Sequence, residues 1–504
     1  MRRAIGRARS GVDRTGRAAD RIGAGRTEPD KGPRRRSARI GPATVALAAV
    51  GSALLAEPAA GHAGSLSGSL EPTPVPSWLV VLTGGGIVGA SFLFTSLLTD
   101  HALVRAINGR GVRVPVREAV RGTIRTTAYR GARLAGVAVL LLVVASGLFG
   151  PAAPTASFAV LVVWAGWWAG YAMSVYLLGN TWPTLNPWRT LAEWLAATGL
   201  LARTGRASPG RLGVWPSVAG LLLLIWIEVV SPVAEEPRLL AALVLVYTAL
   251  TLASAARYGT AAWFRRVDPI ARVFRYYGRL APLQRTERGI ELALPGSALA
   301  ERRAAGRADE TAFVVALLWV TTYDGLVLTP AWAAFARAVV GLGVPALVVY
   351  LLAMVAGFGL FYSVYAIAAR LARRTADSYV AAGFIRDWFA PALVPIAAGY
   401  HLAHFAGYFL GLAPALGGVL ATPFSAPATV TVLAMPGWFG GLQLGFVVLG
   451  HLLAVWVAHA RSFEVFTGRL QPVRSQYPFI LVMIAYTAAS LWIVAQPSTS
   501  PPFL

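Results

Sequence analysis

Apolar residues in this chain come in runs of about twenty, separated by short segments rich in arginine, glycine and proline. Runs of that length fit neither a half-buried strand nor a one-sided soluble helix. They match the roughly 20 residues a helix needs to cross about 30 Å of hydrocarbon. Ten of them are readable, at 78–98, 132–149, 156–178, 215–230, 239–255, 311–328, 339–370, 390–412, 438–458 and 477–494. Each must be helical, because lipid leaves the polar groups of an open strand unpaired. The pattern predicts an all-α integral membrane protein, a bundle of about ten transmembrane helices in 78–494 after an N-terminal signal or extra span at 40–61.

Composition narrows the class further. Of 504 residues 56% are hydrophobic and 13% charged, against about 25% charged in a soluble domain. A soluble enzyme is excluded on that balance. With no cysteine, disulfides, thiolate catalysis, iron–sulfur clusters and Cys-ligated zinc are excluded as well.

The formal net charge of +23 would raise nucleic acid as a partner if it were spread over a soluble surface, but its placement points to the lipid bilayer instead. Thirteen basic and four acidic residues fall in 1–39, which reads as a disordered cytoplasmic leader drawn to anionic headgroups, at about 1 kcal/mol per charge. The apolar 40–61 segment follows Arg34, Arg35, Arg36 and Arg39 and ends in Ala59-Ala60-Gly61, the grammar of a signal peptide or of an uncleaved span. Cleavage after Gly61 would make His62 an amino terminus able to chelate a metal; otherwise it is a surface histidine in the 62–77 segment. Between the ten spans, loops on one side and their flanks hold 30 basic residues and those on the other side two, Arg238 and Arg337. Such asymmetry predicts a multi-pass plasma-membrane protein with its arginine-rich loops cytoplasmic, and 62–77 and the 495–504 tail outside.

Two of the cytoplasmic loops, 179–214 and 257–310, are long enough for structure of their own. Asn186-Pro187 is placed to cap and start a helix. In it Trp188 suits an interfacial aromatic belt, and Arg189 can snorkel to lipid phosphate. Around 270–277, Ile270, Val273, Phe274 and Tyr277 recur at helical spacing among arginines, which predicts an amphipathic surface helix.

Ionisable residues inside spans are costly, by at least ~2.5–3.5 kcal/mol at the centre, and so mark candidate function. His401 and His404 share a helix face in the eighth span and His451 sits in the ninth. Asp324, beside Tyr323 and two threonines, lies toward the outer end of the sixth span, and Glu228 toward the outer end of the fourth. Three readings compete. His401, His404 and His451 could ligate haem or a transition metal across two antiparallel spans. Alternatively, the histidines with Asp324, Tyr323 and Glu228 could pass protons or bind an ion or solute, as in a transporter. Or each histidine simply hydrogen-bonds a neighbouring helix, in a structural or assembly role with membrane-complex partners. Trp164, Trp167, Trp168 and Tyr171 form an aromatic face suited to helix packing.

Several short motifs together resemble a family of prokaryotic polytopic membrane proteins often labelled fenitrothion hydrolases. They are Gly61-His62, 74–79 (PVPSWL), 185–191 (LNPWRTL), Asp268-Pro269 with 280–282 (LAP), 321–325 (TTYDG), 400–408 (YHLAHFAGY), and Gly450-His451 with 458–460 (AHA). The chain departs in carrying His-Ala-Gly after the signal, where the family more usually has His-Gly, and in its longer basic leader. The resemblance covers most of 61–494 and implies a membrane hydrolase acting on organophosphate esters. That chemistry ordinarily requires a metal-activated water.

Overall fold

A computed structural model describes residues 76–114, 123–199, 212–286, 289–301 and 306–504. The leader, the 40–61 segment and His62 lie outside the described residues. In chain order the principal helices are α1 (Ser77–Ser96), α2 (His101–Asn108), α3 (Thr123–Phe149), α4 (Phe158–Leu177), α5 (Pro187–Ala197), α6 (Trp215–Val230), α7 (Pro237–Tyr258) and α8 (Thr260–Arg266). They continue as α9 (Pro269–Gly278), α10 (Ala308–Leu326), α11 (Pro330–Gly341), α12 (Ala346–Thr375), α13 (Ala382–Phe389), α14 (Val394–Ala421), α15 (Phe439–Val465) and α16 (Leu470–Val494). Among the described residues eight are long and apolar enough to cross a membrane, counting α13 and α14 as one continuous helix. A ninth candidate is α10 with α11, bent by 85°, and the 16-residue α6 is a shorter apolar helix. The protein is an all-α membrane bundle, and each of the ten apolar runs has its helix.

The centre of the bundle is α10, in which every residue of 311–325 is buried. A helix apolar around its whole circumference has no face to offer water. It packs against α6, α12 and α14, while α14 and α15 form the most extensive helix pair. At the periphery, Leu82 and Phe94 of α1 and Leu352 and Leu360 of α12 are exposed, as lipid-facing side chains would be.

At one end the five arginine-rich loops and their flanks are bonded to one another. Asn180 Nδ2 donates to the Phe274 carbonyl at 3.0 Å, and the Val214 N–H donates to Asp309 Oδ2 at 3.0 Å. The ring nitrogens of His101 lie 3.0 Å and 2.7 Å from the carbonyls of Phe463 and Gly468. Arg461, fully buried, donates to the carbonyls of Trp388, Leu299 and Glu301 at 2.6, 2.6 and 2.9 Å and lies over the Trp388 ring. A small antiparallel sheet joins two of these loops, with strand β1 (Gly111–Arg113) beside β3 (Gly289–Ala293) and β3 beside β2 (Leu283–Thr286). At the opposite end the C-terminal tail is tied in: the Thr499 N–H donates to the Leu328 carbonyl at 2.8 Å and Tyr350 Oη to that of Pro502 at 3.1 Å.

Three readings of the sequence are corrected. The seventh span begins at Ala346 rather than at 339, because Gly343 turns with φ +91° and Pro345 restarts the helix. The preceding residues belong to α11, which leaves the α10 axis where Thr329 caps it, its Oγ1 accepting from the Trp332 N–H at 3.2 Å. The eighth span runs past 412 to Ala421, through Pro414. Finally, α9 is not a surface helix: Arg272, Val273, Phe274, Tyr276 and Tyr277 are all buried. Its polar side is covered from within the loops, where Arg272 pairs with Glu310 at 2.8 Å and Tyr276 Oη donates to the same carboxylate.

The α14–α15 pairing rests on glycine. A Cβ added at Gly450 would come within 2.6 Å of the Pro395 carbonyl oxygen and 3.0 Å of Gly399 Cα, so the two backbones touch. Gly450→Ala is therefore expected to destabilise the protein by about 1–3 kcal/mol in detergent unfolding. Gly441→Ala on the same helix, where nothing lies within 4 Å, should cost nothing measurable.

Candidate functional site

Four ionisable side chains from three helices line one small cavity: Glu228 of α6, Asp324 of α10, and His401 and His404 of α14. Its volume is about 20 Å³, room for about one water molecule. The i, i+3 spacing puts both histidines on the same side of α14, as the sequence predicts. His404 Nε2 lies 3.2 Å from Asp324 Oδ2, an ion pair whenever the imidazole is protonated.

His401 is 1% exposed, and its Nδ1 is 3.1 Å from the Tyr176 hydroxyl. Aromatic rings surround it edge-on: Trp168 at 5.9 Å, Tyr176 at 5.8 Å and Tyr277 at 5.9 Å between centroids. Its Nε2 has no hydrogen-bond partner, although the Trp168 backbone lies close enough to act on the ring. Trp168 owes its place to a local change in helix form. From Val162 to Tyr171 α4 widens into a π-helix, a form that is rare and frequent at functional sites.

Gly325 brings Tyr400 to the pair. A Cβ there would overlap the Tyr400 hydroxyl, so that hydroxyl lies against the α10 backbone next to Asp324; it is buried without a hydrogen-bond partner. Glu228, buried near the end of α6, acts electrostatically on Tyr323 and Tyr408.

Not every predicted site residue joins this group. Tyr323 does not line the cavity, and its hydroxyl is committed to the Tyr350 carbonyl at 3.0 Å. Thr321 and Thr322 hydrogen-bond back to Leu318 of their own helix. His451 is fully buried, accepts its own helix's geometry by pairing Nδ1 with the Val447 carbonyl at 2.9 Å, and does not line the cavity. Among the described residues no three His, Asp or Glu side chains converge to hold a metal ion. His62 lies outside the described residues. Trp188 turns inward rather than toward an interface: it is buried, its Nε1 donates to Thr248 Oγ1 at 2.8 Å, and its ring packs on Tyr247. Arg189 pairs with Glu193 at 2.9 Å, and Glu193 also holds Arg133 at 2.8 Å.

The aromatic wall was harder to read. Trp168 stood in a visible aromatic face and Tyr400 is next to His401, but nothing in the sequence joined Tyr176 or Tyr277 to the site. Tyr277 arrives there because α9 is fixed in place. Asp268 caps that helix, accepting from the Ala271 N–H at 2.7 Å and from Tyr247 Oη at 2.9 Å.

Comparison with family models, curated proteins and solved structures finds no match to this chain.

The Asp268 carboxyl, in the loop beyond the spans, is pushed up to about 6 by burial, against the opposing hydrogen bonds from Ala271 and Tyr247. The folded protein thus keeps this proton to higher pH than the unfolded chain, whose aspartate titrates near 3.8. Folding is favoured most at the acid end of that window, and the advantage is lost as pH rises from about 4 to 6, by roughly 3 kcal/mol at most. Thermal unfolding across this window should show the decline in the natural chain and a flatter profile in Asp268→Asn. An identical slope in both would assign the decline to another group.

Proposed function

We propose that this chain is a multi-pass plasma-membrane protein, its arginine-rich loops cytoplasmic, that handles protons inside the bilayer through the Asp324–His404 pair, as proton-coupled transporters do. The carrying observation is that pair, at 3.2 Å, in one cavity with Glu228 and His401. Ionisable groups in hydrocarbon are costly enough that a cluster of four calls for a use. An imidazole and a carboxylate in contact share one proton between two acceptors. A water in the cavity can bring that proton in or carry it away, and Glu228 offers a second carboxylate on the same wall. The loop-to-loop bonding supports the orientation, since the loops that the arginine count assigns to one side meet at one end.

The motif resemblance supports membership of the family labelled fenitrothion hydrolases, and two of its segments, 321–325 and 400–408, supply three of the four ionisable groups. The hydrolysis implied by that label is less well supported. A cavity of about 20 Å³ admits a water and not an aryl phosphate ester, for which pockets of about 300 Å³ or more are usual.

Reconstituted into vesicles under a pH gradient, with and without a panel of small solutes, the protein should carry protons faster than empty vesicles. Asp324→Asn and His404→Gln, each checked for folding by size exclusion, should lower that flux at least about tenfold, as expected when a relay group in hydrocarbon is lost. Flux equal to that of empty vesicles under every condition would overturn the proposal. Stoichiometric iron, copper or zinc, lost in a folded His404→Ala variant, would replace it with metal binding.

A further inference from the structure

The three-stranded sheet at the loop end has two unlike faces. Residues directly opposed across antiparallel strands share a face, as do alternate residues along one strand. The register sets Val112 of β1 opposite Leu292 of β3, and Leu292 opposite Leu283 of β2. Two residues along β3, Ile290 stands opposite Arg285, and Val114, whose N–H donates to the Ile290 carbonyl at 2.9 Å, completes that row just beyond β1. All of these side chains lie on one face, and the five apolar ones are 37% to 71% exposed. The other face carries Glu291 with Arg113 and Gln284 on either side. Gln284 Nε2 donates to the carbonyl of Gly278 at 3.0 Å and to that of Ala281, which holds that second face at the end of α9.

An exposed apolar face of this kind is costly in water and marks a surface that meets something apolar. Two observations select the bilayer. The first is place. The Leu283 N–H donates to the Leu178 carbonyl at 3.1 Å, so β2 is tied to the residue that follows α4, a helix long and apolar enough to cross the membrane. Leu177 and Leu178 are themselves exposed, and the apolar face continues from the end of that helix. The second is charge. Arg285 stands on the face at its edge strand, Arg110 immediately precedes β1, and both are exposed. Among the described residues the face holds no acidic side chain, Glu291 lying on the other. Apolar side chains bordered by guanidinium groups suit the depth at which acyl chains give way to phosphate, where an arginine stem lies in hydrocarbon and its head on an anion.

We propose that this sheet is a lipid-docking surface. Its apolar face seats in the leaflet at the loop end of the bundle, with Arg285 and Arg110 on the headgroups of anionic phospholipids. A neutral apolar partner would cover the valines and leucines and leave the guanidinium groups unanswered. Docking of the sheet does not depend on proton handling at Asp324, nor on which side of the membrane the loop end faces, so the two readings fail separately.

The chain has no cysteine, so one introduced cysteine carries a fluorescent label to one position. Leu292→Cys reports on the apolar face, Val112→Cys gives a second position on the neighbouring strand, and Tyr379→Cys, at a fully exposed residue between α12 and α13, is the aqueous reference. Each variant, checked for folding by size exclusion, is placed in nanodiscs of phosphatidylcholine with and without phosphatidylglycerol. Quenching is read with acrylamide in the water and with a lipid bearing a nitroxide near the glycerol end of its acyl chain. Labels at 292 and 112 should be quenched by the nitroxide lipid and shielded from acrylamide relative to 379, and phosphatidylglycerol should increase both effects. Adding Arg110→Gln and Arg285→Gln should abolish that increase, since each charge contributes about fivefold to binding an anionic leaflet. Acrylamide quenching at 292 and 112 equal to that at 379 would overturn the proposal. Labels shielded from both quenchers would overturn it too, assigning the face to another segment of this chain or to a second copy. Lipid quenching that ignores phosphatidylglycerol, or a response to it that survives loss of both arginines, would remove anionic lipid as the occupant.

Discussion

Two helix backbones in contact at Gly399 and Gly450 fix how the helix that carries both site histidines faces its neighbours. Between membrane helices there is no water to expel, so association depends on close packing and on interhelical hydrogen bonds. Glycine at both positions allows α14 and α15 to meet without intervening side chains, and Gln443 adds a hydrogen bond across the pair, from Nε2 to the Ala403 carbonyl at 2.7 Å. Held in this way, α14 has one face against α15 and turns the face bearing His401 and His404 away, toward α10 and α4. The pair that joins His404 to Asp324 follows from that rotation. A side chain at either glycine would act first on helix separation and only then on the site.

The same constraint explains the buried arginines at the loop end. Arg461 has no carboxylate in its hydrogen-bond set and instead spends its donors on three carbonyls from two other loops, with Trp388 against its guanidinium. Those carbonyls end helical or irregular segments, which leave acceptors unpaired. Arg272 does similar work between α9 and α10, reaching both the Glu310 carboxylate and the Arg265 carbonyl. Arginine can serve such sites because its planar head carries five donors and stays charged when lysine would not. Part of the positive charge is thus internal scaffolding that fixes α9 and carries Tyr277 to His401.

The fold was legible because hydrocarbon permits so little: once open strands are excluded, run length and the arginine count are enough to place ten helices. Asp324, Glu228, His401 and His404 were legible for the same reason, as ionisable residues where they are costly. What failed were inferences about facing. His451 lies on the neighbouring helix, as expected, but the glycine contact directs its ring elsewhere, and spacing along one helix says nothing of its rotation against another. Helix α9 has an amphipathic pattern, yet Arg272 and Arg275 face the Glu310 carboxylate and the α8 carbonyls of Phe264 and Arg265 rather than lipid, a distinction that periodicity does not carry. Nor does the sequence announce a π-helix, since aromatic residues three and four apart suit an α-helix equally well.

That π segment is where the two kinds of chemistry meet. Trp168 touches the ring of His401 on one side and lines an apolar cavity of about 120 Å³ on the other, and Glu228 borders both that cavity and the polar one. An α-helix of the same residues would rotate its side chains by a smaller number of residues per turn and could not keep Trp164, Trp167, Trp168 and Tyr171 in the same relation to their neighbours. Aromatic bulk here separates a cavity sized for one water from volumes open toward lipid. A separation of that kind lets charge be held near the hydrocarbon without hydrating the path to it, because the indole faces exclude water while the single carboxylate at the boundary stays within reach of both sides.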